Sequence, residues 1–294
     1  MTDPAKRELP GHIAAALAGA GGAADSAGQP WHGRRLPADA KYHTFEDDDG
    51  GADGALSSAL TALDCGNGDE AAVVRSLASA RVFVPIVAEV AQTGVNGHGL
   101  VSDKEADMAL VTLKAPDGRR TLPVFSSADA LGRWHPDARP VAVFAPRAAL
   151  SAVAEDAQLM VLDPGSDRPF VVRRPAVWAL AQQREWIPSY ADPRVAAVLA
   201  ESLAAAGTPA LLGIAGRPGA GTRSATGSAA AAGTRGGGAG PELRVELTLA
   251  PGLDQTALST LIGSLQEYWS RHASFAESVD SVEIALRTAE QPRG

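Results

Sequence analysis

The stretch that decides the fold of this chain runs from Arg119 to Ser166 and contains three short apolar segments. They are Leu122-Pro-Val-Phe125, Val141-Ala-Val-Phe144 and Leu159-Met-Val-Leu162. Each segment is too short for a helix, and each is followed closely by Ser, Pro or Asp. The three segments therefore predict three strands.

Helix signals fill the intervals between these strands. Ser126 or Ser127 is placed to accept the first amide hydrogens of a helix, with Asp129 in its first turn. In the second interval, Leu150 and Val153 recur at helical spacing. The order strand, helix, strand, helix, strand fits a parallel or a mixed sheet, and we predict an α+β fold with a mixed sheet flanked by helices.

The same stretch resembles a known family. Leu122-Pro-Val-Phe-Ser-Ser-Ala-Asp-Ala-Leu-Gly-Arg-Trp134, followed by Val161-Leu-Asp-Pro-Gly-Ser166, is similar to the N-terminal domain of SseB-like proteins, whose name refers to enhanced serine sensitivity. The resemblance implies such a domain over residues 58–189 and a smaller α+β domain over residues 190–290. It implies no enzymatic activity, because the family has no settled one to carry over.

Composition restricts the class of partner. The 294 residues are 45% hydrophobic but only 5% aromatic, which indicates a core of Ala, Val and Leu. The formal net charge of -8 disfavours a nucleic-acid partner, and the single cysteine, Cys65, excludes an internal disulfide. The N-terminus has no sustained apolar run. We therefore expect a cytoplasmic protein without a membrane span.

Residues 1–57 contain few large apolar groups and predict an extended, partly disordered arm. This segment resembles the leader of actinobacterial SseB-like proteins. Its aromatic and charged residues suggest three alternatives: an arm that lies on the fold, a recognition peptide for a protein partner, or free disorder. The candidate partner-binding residues are Trp31, Arg34, Phe45, Asp47 and Asp48.

The acidic run from Phe45 to Asp53 also suggests comparison with a calcium-binding loop. If Gly50 were its sixth position, Phe45 would be the first and Leu56 the twelfth, so ligands are lacking at both ends. A solvated acidic turn is the favoured interpretation. The six dispersed histidines have no metal-ligand spacing, and we predict neither metal nor cofactor.

Several further elements follow from local patterns. Pro85 predicts that the strand beginning at Arg81 has an edge position or a bulge. Residues 91–105 are predicted to form a loop, and Pro116-Asp-Gly118 predicts a hairpin turn. In the second domain, Asp192 should cap a helix, and residues 254–272 form the strongest helical pattern. The Gly- and Ala-rich residues 216–241 predict a flexible insertion.

No catalytic set emerges from the candidate nucleophiles. Ser126 and Ser127 lack the glycine-flanked turn of a serine nucleophile, so helix capping is the favoured role even with His135 nearby. Cys65 is predicted to end a helix, where the negative end of the dipole disfavours the thiolate that a catalytic cysteine needs. Gly216-Arg-Pro-Gly-Ala-Gly lacks the lysine of a phosphate loop.

Four tryptophans are interpreted as core or inter-domain packing: Trp134, Trp178, Trp186 and Trp269.

The sequence thus favours a non-enzymatic protein-interaction module with an unknown protein partner. The alternative is a small-molecule sensor or enzyme, with an amino-acid-related ligand. Its pocket would be built from loops of the first domain, over residues 94–103 and 163–168.

Overall fold

The computed structural model describes Phe45 and residues 48–89, 107–222 and 240–289. Its strands and helices are intermixed along the chain, and Asp48–Gly294 forms one compact unit. The elements are α1 (Gly54–Asp64), α2 (Glu70–Leu77), β1 (Arg81–Glu89), β2 (Asp107–Leu110), β3 (Leu113–Lys114), β4 (Arg120–Val124), α3 (Ala128–Trp134), β5 (Arg139–Phe144), α4 (Ala145–Ala154), β6 (Leu159–Leu162), β7 (Phe170–Val172), α5 (Arg174–Ala181), a 3-10 turn (Ser189–Ala191), α6 (Pro193–Ala205), β8 (Leu211–Pro218), β9 (Leu243–Leu249), α7 (Gln255–Arg271), α8 (Ala273–Ser278) and β10 (Val282–Thr288).

The first half, residues 48–187, contains two sheets. One has the order β3-β4-β6-β7, with β4 and β6 parallel and the outer pairs antiparallel, and the other has the order β2-β1-β5, antiparallel throughout. Phe83 and Phe125 link the two sheets by exchanging backbone hydrogen bonds of 2.8 Å in each direction. The predicted α+β class with a mixed sheet is confirmed.

Helices cover these sheets because their apolar residues recur on one side. In α4, Ala145, Ala148, Ala149 and Ala152 are all buried, and the small side chains let α4 pack closely on α5 and on the sheet. The larger members of this core include Leu56, Leu77, Leu122, Met160 and Phe170. The Ala-rich composition therefore serves close helix packing.

The second half, residues 188–289, is built on the mixed sheet β10-β9-β8. Alternate residues of β9 are buried from Leu243 to Leu249, which places one face of the sheet against α6 and α7. On α7, Leu261, Leu265 and Trp269 are buried, as the helical stripe predicts. The Trp269 indole Nε1 donates to the buried Ser202 hydroxyl at 2.9 Å, so its polar atom is satisfied.

Two local predictions are wrong. Pro85 lies in the central strand β1, opposite Pro140 of β5 and without a register shift, and pairing with β2 begins only at Ile86. Proline is tolerated there because its missing N–H falls where the β2 ladder has ended. The insertion was also predicted to start at Gly216, but residues 216–218 belong to β8 and Thr222 is buried. Residues 91–105 fall outside the described residues.

No helix within the described ranges has the length and hydropathy needed to cross a membrane. Over the same ranges, no group of three or more His, Cys, Asp or Glu side chains is gathered as a metal site.

Candidate functional site

A cleft of about 660 Å³ lies where the end of the first half meets the second half. This volume is within the range of about 300–1,000 Å³ that is usual for ligand pockets. One wall comes from α5 and the segment after it, and the other from the start of α6 and from α8. The residues that carry its chemistry are Arg174, Trp178, Arg184, Trp186, Ile187, Arg194 and Glu277.

Trp178 is 47% exposed in this cleft, which corrects its predicted role in packing. Helix α5 directs Ala176, Val177, Leu180 and Ala181 into the core, and Trp178 falls on the opposite side of that stripe. Ile187 is also 44% exposed in the same cleft. Two large apolar side chains thus face solvent at one place, where burial by a partner would be favourable.

Trp186 lies beside them but is only half-buried and packs against the first core. Its Nε1 atom is buried and has no hydrogen-bond acceptor among the described residues. The three tryptophans at 134, 178 and 186 therefore differ in their surroundings. Trp134 packs on Phe125 with ring centroids 5.2 Å apart, Trp186 packs at the border of the core, and Trp178 is exposed to solvent.

Two arginines of the cleft are held in place by the second half. The Arg174 Nη2 atom donates to the backbone carbonyls of Ala276, at 2.6 Å, and Val279, at 2.8 Å. Arg194 donates to both carboxylate oxygens of Asp192, and its Nη2 lies 3.1 Å from the Ser278 hydroxyl. Their backbone and side-chain bonds fix the cationic wall of the cleft before any partner arrives.

Arg184 differs from these two arginines. It is exposed, and its guanidinium has no ion-pair or hydrogen-bond partner within the part of the chain that the structure describes. Guanidinium groups bind carboxylates through paired hydrogen bonds. Arg184 is therefore the cation of this cleft that is most available to a carboxylate on a partner.

The Asp192 carboxylate supports Arg194 electrostatically. Burial by itself raises the pKa of Asp192, but hydrogen bonds from the Arg194 guanidinium and backbone N–H outweigh it and hold that pKa below its usual value. Asp192 also caps α6 through the 2.8 Å bond from the Arg194 N–H. The predicted capping role of Asp192 is confirmed.

A buried ionic network lies behind the cleft and joins the two halves. Asp280 accepts from Arg119 at 2.8 Å and lies 3.5 Å from Arg173, and the side chains of Asp280 and Arg173 are 0% and 3% exposed. Arg173 also donates to the carbonyls of Gly221, at 2.9 Å, and Gly240, at 3.1 Å. It therefore holds the chain on both sides of residues 223–239.

Glu242 is the second buried acid of this junction. Its carboxylate is fully buried and accepts the backbone N–H of Ser189, at 3.2 Å, and of Asp280, at 2.9 Å. Burial raises the pKa of Glu242 above its ordinary value, and the two backbone bonds only partly oppose it. Nothing in the local sequence signals these buried acids, since isolated Asp and Glu residues are usually exposed.

The predicted partner-binding residues are only partly within the described chain. Trp31, Arg34 and Asp47 fall outside it, and Phe45 is half-buried. Asp48 pairs with Arg81, with 2.5 Å between Oδ2 and Nε, and both side chains are less than 15% exposed. The predicted solvated acidic turn is therefore wrong at Asp48, because the Asp48 carboxylate forms an ion pair with Arg81. At the end of the same acidic run, Asp53 caps α1 by accepting the Leu56 N–H.

The residues that carry the family resemblance have structural partners. Asp163 accepts the Ser126 N–H at 2.8 Å, which ties the ends of β4 and β6 together, and Ser127 caps α3. Gly165 has a φ of +80°, and a Cβ there would lie 3.3 Å from Trp134. The pocket beside this turn is only about 140 Å³, below the usual size for a ligand.

The candidate nucleophiles also have structural surroundings. Ser127, and not Ser126, is the capping residue, and its hydroxyl accepts the Ala130 N–H at 3.0 Å. Cys65 is exposed at the C-terminus of α1, as the pattern predicts. His135 packs against the Trp134 ring, with centroids 5.8 Å apart.

These features define a class of α+β protein in which a buried ionic network joins two halves and an open aromatic and arginine-bearing cleft lies at their junction. Residues 56–179 match the family model described as the SseB protein N-terminal domain. The match lies within the first half and includes Arg174 and Trp178 of the cleft, but not Arg184, Trp186, Ile187, Arg194 or Glu277. No curated protein and no solved structure matches the chain.

Proposed function

We propose that this chain is a non-enzymatic, cytoplasmic interaction protein of the actinobacterial SseB-like type, which acts by binding a protein partner. The observation that carries the proposal is the exposed Trp178 beside Arg184 in a cleft of about 660 Å³. Tryptophan and arginine dominate the residues on which binding energy is concentrated in protein interfaces.

The chemistry of the cleft indicates what segment of a partner would fit. Trp178 and Ile187 present apolar surface, so the segment needs an apolar side chain to cover them. Arg184 calls for a carboxylate close to that side chain. A peptide with an apolar anchor next to an acidic residue meets both requirements.

Charge and composition support a protein in the cytoplasm as the partner. A net charge of -8 repels nucleic acid, and a chain with one cysteine suits a reducing compartment. The arm that carries Trp31, Arg34, Phe45 and Asp47 is proposed as a second contact with the same partner, whereas Asp48 is paired with Arg81.

The experiment is a co-purification of tagged full-length protein from native lysate, with quantitative mass spectrometry. The comparison uses Trp178→Ala, with Leu150→Ala as a matched control, because Leu150 is 54% exposed on α4 outside the cleft. A partner retained by the parent and by Leu150→Ala but lost with Trp178→Ala supports the proposal. Equal retention by all three proteins contradicts it.

The contribution of the arm is tested in the same assay with a chain that starts at Asp48. If the arm is a contact, this chain retains less of the partner than the full chain while circular dichroism shows an intact fold. If the arm contributes nothing, retention is unchanged.

The rival function is an amino-acid-related sensor or enzyme with a pocket in the first domain. Residues 163–166 line a pocket of about 140 Å³, below the usual size for a ligand, which disfavours the rival function. Residues 94–103 lie outside the described chain. Saturable binding of an amino acid to the full chain, measured by calorimetry and unaffected by Trp178→Ala, would favour the rival.

A further inference from the structure

The strand β10 forms an open edge of the second sheet. It pairs in parallel with β9 from Val282 to Thr288 without a register shift, and no described strand pairs with its other side. Backbone bonds to β9 involve Ser281, whose carbonyl accepts the Leu243 N–H, and Ala289, whose N–H donates to Leu249. Because bond direction alternates along a strand, the groups that point away from β9 belong to Val282, Ile284, Leu286 and Thr288.

The opposite edge of the same sheet is blocked against strand addition. In β8 the register shifts between Leu211 and Gly213, and the strand ends at Pro218. Bulges and prolines are the usual devices that keep sheet edges from pairing with other chains. Strand β10 has no bulge, proline or lysine, and Leu286 is 48% exposed on it.

The side chains of β10 are complementary to a second copy of themselves. We propose that two copies of this chain associate through antiparallel pairing of their β10 strands, about a two-fold axis at Ala285. In this register Glu283 lies opposite Arg287 of the other copy, and Ile284 lies opposite Leu286. The two sheets become one continuous six-stranded sheet.

The backbone selects the same register. Ile284 and Leu286 both point their N–H and C=O groups outward, so they form a hydrogen-bonded pair across the axis. Glu283 and Arg287 then form the pair without hydrogen bonds, in which side chains approach more closely. Moving the axis by one residue, to 284 or 286, separates Glu283 from Arg287. Moving it by two residues places two Glu283 or two Arg287 side chains opposite each other.

The ion pairs already present on β9 extend this pattern. Glu283 accepts from Arg244 at 2.7 Å, and Arg287 donates to Glu246 at 2.9 Å, all on the face of the sheet away from α6 and α7. In the dimer these pairs form a row of alternating positive and negative charges across the axis. The row runs from Arg244 and Glu283 of one copy to Arg287 and Glu246 of the other copy.

The test is the mass of the full chain by sedimentation, from about 1 μM to about 1 mM, which spans the dissociation constants of weak complexes. We expect the mass to rise toward twice that of the monomer. Ala285→Lys places two like charges at the axis and should weaken association by up to about fivefold, judged from cross-strand pair energies. Leu212→Lys, at the 53% exposed position on the opposite edge, is the control and should associate as the parent does.

A mixture of charge variants separates a specific register from a loss of folding. Glu283→Arg alone and Arg287→Glu alone each place like charges opposite each other in the homodimer. Mixed together, they restore both oppositely charged pairs, so the mixture should associate although neither variant does. A parent chain that stays monomeric, a mixture that fails to associate, or association lost with Leu212→Lys but kept with Ala285→Lys would overturn the proposal.

Discussion

Arg173 and Asp280 form a buried ion pair between the two halves of the chain, with 3.5 Å between Nη1 and Oδ2. Arg173 directly follows β7, and Asp280 precedes β10, so the pair joins elements that are far apart in sequence. Asp280 also accepts from Arg119 at 2.8 Å. A single carboxylate therefore contacts two guanidinium groups at the junction, and its removal leaves both without that partner.

Replacing Asp280 with asparagine is therefore expected to destabilise the whole unit. The change keeps the side-chain size but leaves Arg173 buried without its counter-charge, at a cost of about 3–5 kcal/mol in the free energy of unfolding. Asp117→Asn is the control, since Asp117 also contacts Arg119 but is 50% exposed, and it should cost about 1 kcal/mol or less. Urea unfolding measures both. Equal costs for the two variants would show that burial does not set the strength of this network.

Glu242 should make stability fall as pH rises. Its pKa is raised in the folded protein, so between the ordinary glutamate pKa and the raised value the unfolded state has lost a proton that the folded state keeps. The stabilising contribution is complete below the ordinary value and is lost as pH rises through the folded value. Glu242→Gln should remove this slope from the urea midpoints. An unchanged slope would contradict the raised pKa.

Asp192 should make stability fall as pH falls, the opposite of the dependence expected from Glu242. Its pKa is lowered in the folded protein, so its contribution is present above the ordinary aspartate pKa and is lost as pH falls through the lowered value. Asp192→Asn keeps a capping side chain for α6 and should remove only this acid dependence. Asp192→Ala should in addition remove the cap of α6, which lowers the free energy of unfolding by about 0.5–2 kcal/mol. This loss should appear as a further drop in the thermal midpoint. If both variants behaved alike, the cap would have no separate role.

Two tryptophans should respond differently to truncation. Trp178→Ala removes a side chain that is 47% exposed, and we expect a change in unfolding free energy within about 0.5 kcal/mol. Trp269→Ala removes one that is 2% exposed and should cost about 3–5 kcal/mol. Guanidinium unfolding, followed by circular dichroism, distinguishes the two. A large loss with Trp178→Ala would mean that this side chain stabilises the fold and is not free for a partner.

Asp48 and Asp49 offer a matched pair of neighbouring carboxylates. Asp48 is mostly buried and bonds to Arg81, whereas Asp49 is exposed and, among the described residues, accepts the Gly51 N–H at 2.7 Å. Asp48→Ala should cost about 1.5–3 kcal/mol, the usual value for a hydrogen bond to a charged group. Asp49→Ala should change stability by less than about 0.5 kcal/mol. The comparison is made on thermal midpoints, and a reversed order would contradict the role of Arg81.

Much of the fold was predictable because it depends on local patterns. Ser127 caps α3 because its side chain reaches an amide three residues on, and the stripe on α7 faces the core because apolar residues recur at helical spacing. The aromatic side chain of Trp178 predicts packing, although Val177 and Leu180 already form the buried stripe of α5. Its position off that stripe was the signal that could have identified it.

The sequence alone determined the element types, the α+β class and the likeness of the first half to SseB domains, because hydrophobic period, capping residues and turns act over a few neighbouring residues. Only the tertiary structure decided that β5 pairs with β1 and not with β4 or β6, that Pro85 lies in a central strand, and that Arg173 meets Asp280. Strand order and buried ion pairs depend on contacts between residues far apart in sequence. Such contacts follow from how the whole chain buries its apolar surface, and no local pattern encodes them.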